Sequence, residues 1–176
     1  MRECRTGIVI LNYNDAEETL RLLEDIRCYS EIDHIVVVDN QSTDDSLEKL
    51  KCHLDGTWDL VSAPENKGYS YGNNLGIRYL LEQYNVDVLI ISNPDVQFDN
   101  DFVGEIKKQL LAHPDYAMVS GVQYGRDGKV YHHAFWPAHT ITSCCLDVLK
   151  KYPLLARILK KAGGRSHLCR KDTGFP

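Results

Sequence analysis

Residues 86–96 read VDVLIISNPDV, and this stretch decides the fold class. Its apolar residues 88–91 lead almost directly into Asn93, Pro94 and Asp95, which is the pattern of a buried strand that ends in a polar turn. Open α/β sheets bind their ligands at such strand ends. A carboxylate beside a buried strand costs free energy unless a cation or hydrogen-bond donors meet it, so we expect Asp95 to contact a ligand. We also expect the strand to be buried on both faces.

The same pattern occurs at three earlier places in the chain. Residues 6–12 (TGIVILN), 34–38 (HIVVV) and about 59–63 each predict a strand that is followed by polar residues. A segment with helical spacing of apolar residues comes after each strand. Strands that alternate with helices indicate right-handed crossovers and a mainly parallel, Rossmann-like sheet. The predicted fold class is therefore three-layer α/β/α, with all the strand ends opening at one edge.

Beyond the Asn-Pro-Asp turn the pattern is weaker. Residues 101–112 predict a further helix, and residues 116–124 predict a further strand. Residues 126–128 (RDG) form a turn signal that favours a hairpin with residues 129–133.

The composition of the 176 residues is that of an ordinary soluble protein. The formal net charge of −5 argues against a nucleic-acid scaffold, because duplex binders concentrate positive charge. The six cysteines include no C-x-x-C pair, so we interpret them as reduced thiols of a cytoplasmic protein. No apolar run reaches the roughly 18 residues of a membrane span. We therefore expect a soluble or at most peripheral chain.

A parallel sheet would bring the polar ends of its strands to one edge. Asp39 and Asp95 directly follow apolar strands, and for both carboxylates we favour contact with a ligand. Asn14, Ser42 and Thr43 are residue types that suit helix N-caps, and for these three we favour capping.

Glycines recur every four residues in NKGYSYGNNLG, residues 66–76. Gly68, Gly72 and Gly76 lie where a strand-to-helix turn leads into the predicted third helix, and glycine there lets backbone N–H groups approach a phosphate. The segment matches neither G-x-G-x-x-G nor the P-loop, so it carries no dinucleotide or ATPase fingerprint. Tight packing of the helix is an open alternative for Gly72 and Gly76.

Four motifs follow one another along the chain: VILNYN (9–14), VVVDNQSTDDS (36–46), ENKGYSYGNNLGI (65–77) and LIISNPDV (89–96). In this order and spacing they resemble the nucleotide-sugar half of inverting family-2 glycosyltransferases, especially the rhamnosyltransferase-like members. The resemblance implies a GT-A-like fold of the nucleotide-diphospho-sugar transferases. It also implies a hexosyltransferase that moves a sugar, with inversion, from a nucleotide-diphosphate donor to a saccharide or lipid-linked acceptor in polysaccharide or cell-envelope glycan synthesis.

The resemblance also implies donor-binding roles at the first three strand ends. Tyr13 and Asn14 would lie beside the nucleotide, and Asp39 would accept a hydrogen bond from its base. Asn66, Gly68 and Asn73 would line the nucleotide and sugar region.

The fourth strand end would hold the metal. Asn93-Pro94-Asp95 occupies the place of the family's Asp-any-Asp motif, so Asp95 would bind Mg²⁺ or Mn²⁺ bridging the donor diphosphate. Such a hard cation takes one or two carboxylates and fills its other positions with phosphate and water oxygens, so one aspartate is sufficient. Asn93 departs from the first aspartate of the motif, which leaves its role toward ribose or metal open.

The motifs that carry the resemblance span residues 8–96, and the match extends loosely to about residue 124. We assign residues 1–134 to a nucleotide-sugar-binding domain and residues 135–176 to the start of an incomplete acceptor-side region. In the family the general base follows the region where this sequence stops, so we expect the catalytic base beyond Pro176 and assign no catalytic residue. We expect a fragment that binds donor and does not transfer sugar alone.

Two alternatives stay open. A non-catalytic nucleotide-sugar-binding module would keep the same pocket, and the sequence does not separate it from a truncated enzyme. A sugar nucleotidyltransferase would show a glycine-rich, basic loop after its first strand, whereas residues 11–15 (LNYND) contain neither glycine nor lysine. The basic, leucine-bearing residues 150–161 leave peripheral contact with the inner face of a membrane as a minority interpretation.

Overall fold

A computed structural model of the chain describes residues 4–125 and 127–130. Its strands and helices lie in the first of the two units into which the chain divides, Met1–Gly121 and Val122–Pro176. Strands and helices alternate strictly, as the sequence predicts. They are β1 (Thr6–Asn12), α1 (Ala16–Ile26), β2 (His34–Asp39), α2 (Ser46–Cys52), β3 (Asp59–Ser62), α3 (Tyr69–Tyr84), β4 (Val88–Ser92) and α4 (Asn100–Ala112).

The described residues form a four-stranded sheet in the order β3-β2-β1-β4, with every pair of strands parallel. In the register, Asn12 of β1 lies opposite Asp39 of β2, which lies opposite Ser62 of β3. Ser92, the last residue of β4, lies opposite Ile10. The carboxyl ends of the strands therefore meet at one edge of the sheet, as predicted.

Helices cover both faces of this sheet. Ile8 and Ile10 of β1 point into one core cluster, which includes residues of α1 and Leu50 of α2. Val9 and Leu11 point into the other cluster, which includes Leu80 of α3. The side chains alternate between the faces because the period of a strand is two residues. The three-layer α/β/α fold class is confirmed.

The expectation that β4 is buried on both faces is wrong for the described residues. Ile91 is 49% exposed, whereas all seven residues of β1 are buried. The reason is strand order: β1 lies between β2 and β4, and β4 is at an edge of the described sheet. The buried strand that organises the sheet is therefore β1.

The predicted strand at residues 116–124 is also wrong. Within the described residues only an isolated antiparallel bridge is present there, between Tyr124 and Val130. The predicted turn closes this bridge, since Gly128 N donates to Gly125 O at 2.9 Å. Residues 131–133 of the expected hairpin lie outside the described part of the chain.

Three further expectations fall wholly or partly outside the described residues. The domain boundary at 134–135 and the basic segment 150–161 lie there and stay predictions. Of the cysteines, the described Cys4, Cys28 and Cys52 are free thiols. Among the described helices, none has the length and apolarity that crossing a membrane requires.

Gly76 is a point of close approach between α3 and the sheet. A Cβ at this position would lie 2.5 Å from Cγ1 of Val9 and 2.9 Å from Cγ2 of Val38. Both valines are fully buried and β-branched, so neither side chain moves aside easily. Tight packing is therefore the structural role of Gly76, and Gly72 behaves alike, since its Cβ would lie 2.4 Å from Cδ1 of Leu11.

We expect Gly76→Ala to destabilise the protein. Overpacking costs about 1–3 kcal/mol, which exceeds the gain of about 1 kcal/mol from the higher helix propensity of alanine. Urea unfolding measures the difference. The matched control is Gly104→Ala in α4, where the nearest atom to the new Cβ, Cδ of Glu31, is 3.5 Å away, so this change should stabilise. Equal stabilisation by both substitutions would contradict the close packing of α3.

Tyr84 forms a polar cluster at the edge of the sheet opposite to the carboxyl strand ends. Its hydroxyl donates to Oδ2 of Asp59 at 2.5 Å, and its ring stacks on His34 with the centroids 3.8 Å apart. The hydrogen bond to the Asp59 carboxylate, with burial second, raises the pKa of Tyr84 to about 12. This folded-state pKa lies above the ordinary value of about 10. The hydrogen bond from Tyr84 to Asp59 therefore stabilises the folded protein fully below pH 10, and this stabilisation is lost as the pH rises through about 12.

We expect Tyr84→Phe to lower the free energy of unfolding by about 0.5–1.5 kcal/mol at pH 8. The difference from the wild type should shrink at pH 11, because the unfolded wild-type tyrosine is then ionised. Denaturant titrations of both proteins at the two pH values measure this. An equal difference in the free energy of unfolding at pH 8 and pH 11 would show that the bond to Asp59 does not raise the pKa of Tyr84.

Candidate functional site

The candidate site is the edge of the sheet where the strands end. The connections that leave this edge are residues 13–15 after β1, 40–45 after β2, 63–68 after β3 and 93–99 after β4. Side-chain hydrogen bonds join the first three connections to one another. The fourth carries the predicted metal ligand.

Asp39 is the last residue of β2 and is 1% exposed. From the described residues its carboxylate accepts three hydrogen bonds: Oδ2 from Asn12 Nδ2 at 2.9 Å and Ser42 Oγ at 2.6 Å, and Oδ1 from Ser42 N at 3.0 Å. The amide of Asn12 is held in turn, because its Oδ1 accepts from Thr19 Oγ1 at 2.9 Å. These donors meet the need of a buried carboxylate for hydrogen bonds.

The capping prediction for Asn14, Ser42 and Thr43 is wrong. The N-caps of α1 and α2 are Asp15 and Asp45, and in the described structure neither makes a side-chain cap bond. Instead, Oδ1 of Asn14 accepts from Thr43 N at 2.7 Å, and Nδ2 of Asn14 donates to Thr43 Oγ1 at 3.1 Å. Asn14 has φ 55°, a left-handed conformation that asparagine tolerates. These residues tie the connections after β1 and β2 together.

The connection after β2 also holds the one after β3. Asn40 Nδ2 donates to Asn66 Oδ1 at 3.1 Å, and Gln41 Oε1 accepts from Asn66 N at 2.8 Å. Asn66 Oδ1 accepts from Gly68 N as well, at 2.9 Å. The five consecutive residues 39–43 (DNQST) thus brace the connections on both sides. We name the bonded residues Asn12, Asn14, Asp39, Asn40, Gln41, Ser42, Thr43 and Asn66 the strand-end network.

Gly68 marks the start of α3 and has φ 91°, which favours glycine. A Cβ there would meet no described atom within 4 Å, so the position is open and the backbone conformation, not packing, requires glycine. Among the described residues α3 has no side-chain cap, which leaves N–H groups of its first turn available to an anion.

Asn73 lies in α3 and is 4% exposed. Its Nδ2 donates to Tyr69 O at 3.0 Å, and its Oδ1 has no hydrogen-bond partner among the described residues. That Asn73 lines the nucleotide and sugar region stays a prediction, supported only by this acceptor without a described partner.

Asn93, Pro94 and Asp95 form a turn after β4, since Val96 N donates to Asn93 O at 3.3 Å. Buried Ser92 donates its hydroxyl to the same carbonyl at 3.1 Å. The carboxylate of Asp95 is exposed and makes no hydrogen bond or ion pair to any described residue. Asp95 is therefore free to bind a ligand.

A metal at Asp95 would need further ligands from outside the described residues. The described residues contain no group of three or more His, Cys, Asp or Glu side chains arranged to hold an ion. One carboxylate combined with phosphate and water oxygens is a common set for Mg²⁺. The free carboxylate thus fits an ion that arrives with a diphosphate and does not fit a structural metal centre.

The far end of the β4 connection is anchored by residues that sequence reasoning missed. Tyr29 Oη donates to Phe98 O at 2.8 Å and the two rings lie edge to face, 6.2 Å apart. Asp99 caps α4 by accepting from Phe102 N at 2.7 Å. Asn12, Asn40 and Gln41 belong to the polar strand ends that the sequence predicts at this edge, but the sequence did not indicate their individual roles.

Tyr13, the remaining predicted residue, is 47% exposed in the connection after β1. The structure thus brings Asn14, Asp39, Asn66 and Gly68 into one hydrogen-bonded arrangement. It leaves the side chains of Tyr13, Asn93 and Asp95 exposed at the same edge. Their contacts with a donor stay predictions.

Comparison with known proteins matches residues 7–169 to the family model described as Glycosyl transferase family 2. The Low-salt glycan biosynthesis hexosyltransferase Agl10 of Haloferax volcanii is 30% identical over 135 residues, 77% of this chain and 42% of the relative. The solved mannosyltransferase PcManGT from Pyrobaculum calidifontis, in complex with GDP-Man and Mn²⁺, has a TM-score of 0.50 and 23% identity, covering 62% of this chain and 33% of that chain. The chain therefore spans less than half the length of either protein. The similarity to the solved mannosyltransferase confirms the GT-A fold.

Proposed function

Because the chain belongs to glycosyl transferase family 2, we propose that it binds the nucleotide-diphospho-sugar donor of a hexosyltransferase. The proposed reaction transfers the hexose, with inversion, to a saccharide or lipid-linked acceptor in glycan synthesis. The relative in Haloferax volcanii is a hexosyltransferase of glycan biosynthesis, which supports the hexosyl group and this kind of pathway. Action in the cytoplasm or at the inner face of a membrane stays a prediction.

The observation that carries the proposal is the contrast between two carboxylates at one sheet edge. Asp39 is buried and bonded by three donors of the described chain, whereas Asp95 is exposed and makes no bond to the described residues. The bonds to Asp39 hold its carboxylate in one position, whereas the carboxylate of Asp95 is available to a cation. A site that has one fixed and one free carboxylate suits a nucleoside diphosphate that binds together with a metal.

Each proposed contact uses a group described above. Asp39 accepts an N–H of the nucleobase, and Tyr13 lies beside the nucleotide. The free N–H groups at the start of α3 meet phosphate oxygens. Asp95 would hold Mg²⁺ or Mn²⁺, which would supply the charge stabilisation that a leaving diphosphate needs. The Pyrobaculum mannosyltransferase was solved with GDP-Man and Mn²⁺, which supports these classes of ligand.

Calorimetric titration of the 176-residue chain tests the proposal. UDP, dTDP and GDP are each titrated with Mn²⁺, with Mg²⁺ and with EDTA, and the matching monophosphates serve as controls. We expect one diphosphate to bind at least about tenfold more tightly with metal than with EDTA, because Asp95 would hold an ion that offsets the charge of the phosphates. Absence of binding by all three diphosphates, or affinity that ignores the metal, would contradict the proposal.

A further inference from the structure

Ser42 lies at the centre of the strand-end network. Its Oγ donates to Asp39 Oδ2 at 2.6 Å and accepts from Asn14 N at 3.0 Å and from Asn12 Nδ2 at 3.2 Å. A serine hydroxyl has one donor and two acceptor positions. All three are used inside the chain, so Ser42 has no position left for a ligand. Any effect of its hydroxyl on a ligand must pass through the residues that it holds.

The first of these residues is Asp39. Oδ2 of Asp39 accepts from two described groups, Asn12 Nδ2 and Ser42 Oγ, while Oδ1 accepts from Ser42 N. A carboxylate has about four acceptor positions, two on each oxygen. Oδ2 is therefore saturated, and the remaining position is on Oδ1. Ser42 bonds both oxygens and so determines which one is left to accept an N–H group.

The second residue is Asn14, next to exposed Tyr13. The bond from Asn14 N to Ser42 Oγ and the three bonds between the Asn14 side chain and Thr43 hold Asn14 at φ 55°. Asparagine tolerates this conformation, and these bonds keep Asn14 in it. One hydroxyl thus fixes both the Asp39 carboxylate and the backbone that carries Tyr13.

We propose that Ser42 is a positioning residue for nucleobase recognition. It leaves one acceptor position on Oδ1 of Asp39 for an N–H group on the edge of the base, and it holds the Tyr13 backbone at the same sheet edge. This inference rests on the proposed function. It goes beyond that function because it assigns the choice between bases to a residue that does not touch the ligand.

The test compares Ser42→Ala and Ser42→Thr with the wild-type chain. The Kd values of UDP, dTDP and GDP are measured with Mn²⁺ by calorimetry. We expect Ser42→Ala to weaken binding of the preferred diphosphate about tenfold and to reduce its preference over the other two bases, because a displaced Asp39 would lose its own hydrogen bond to the base, and one hydrogen bond is worth about that factor. Ser42→Thr keeps the hydroxyl and should restore the preference. The ratio of Kd values with metal and with EDTA should not change, because Asp95 is intact.

The matched control is Tyr84→Phe, which also removes a hydroxyl that is bonded to a carboxylate, but at the opposite edge. It should lower stability without altering the base preference. If Ser42→Ala does not fold, Ser42→Cys, with its weak S–H donor, replaces it, and a reduced preference is again expected. An unchanged preference in the folded variant, with the wild type binding normally, would overturn the role of Ser42 alone. Failure of the wild type to bind any diphosphate would overturn the proposed function and this inference together.

Discussion

Replacing Asp95 by alanine is expected to abolish metal-dependent binding of the nucleoside diphosphate. In the proposed site the Asp95 carboxylate joins the ion to the protein, so its loss should weaken binding in Mn²⁺ at least about tenfold, to the level seen in EDTA. The side chain is exposed and makes no bond to the described residues, so the free energy of unfolding should change by less than about 0.5 kcal/mol. Calorimetry and urea unfolding of the same samples measure both quantities.

The control for Asp95→Ala is Asp115→Ala, which removes another exposed carboxylate, from the segment after α4. It changes the net charge by the same amount and should leave binding unaltered. Equal loss of affinity in both variants would indicate a general effect of charge. Metal-dependent binding that survives in Asp95→Ala would show that another residue holds the ion.

Replacing Asp39 by alanine is expected to cause the largest loss of stability at this edge, about 2–4 kcal/mol. The substitution leaves Asn12 Nδ2, Ser42 N and Ser42 Oγ without the acceptor that they share. Asn12 cannot rotate its amide to find another acceptor without losing the hydrogen bond that its Oδ1 accepts from Thr19 Oγ1. Part of the loss is offset, since a buried charge no longer has to be desolvated.

Urea unfolding of Asp39→Ala beside Asp33→Ala measures this effect. Asp33 precedes β2 at the opposite edge, and within the described structure its carboxylate accepts one hydrogen bond, from Thr6 N at 2.7 Å. We expect its loss to cost about 1 kcal/mol. A cost for Asp39→Ala no larger than that would show that the strand-end network does not stabilise the fold.

The strands could be predicted well because the signal for a strand is local. Apolar runs that end in polar residues placed β1 at residues 6–12, where the structure has it, and β2 at residues 34–38, one residue short of its observed end. Strand order is not local, so β4 was expected to be buried and is not, as exposed Ile91 shows. The prediction of a strand at residues 116–124 was wrong for a related reason. A segment with strand-like composition forms a strand only beside a partner strand, and Met118 in this segment is 83% exposed.

The edge that carries the site followed from the parallel sheet, but the roles of its residues did not. Asparagine and serine suit both helix caps and bonds to a neighbouring loop, so the sequence could not show that Asn14 bonds Thr43, 29 residues away. Asp39 and Asp95 also looked equivalent, since each follows an apolar run. The difference between them depends on Asn12 and Ser42, which surround only Asp39.

The most direct test of the account is the paramagnetic effect of Mn²⁺ on the amide resonances of the ¹⁵N-labelled chain, recorded with the diphosphate that binds. We predict that resonances of residues 93–96 broaden at the lowest Mn²⁺ concentration, followed by residues 13–15, 39–43 and the first turn of α3. Residues near Asp33 and Asp59, at the opposite edge, should stay sharp, and Asp95→Ala should remove the effect. Broadening centred on any other part of the chain would contradict a metal-bound donor at the strand ends.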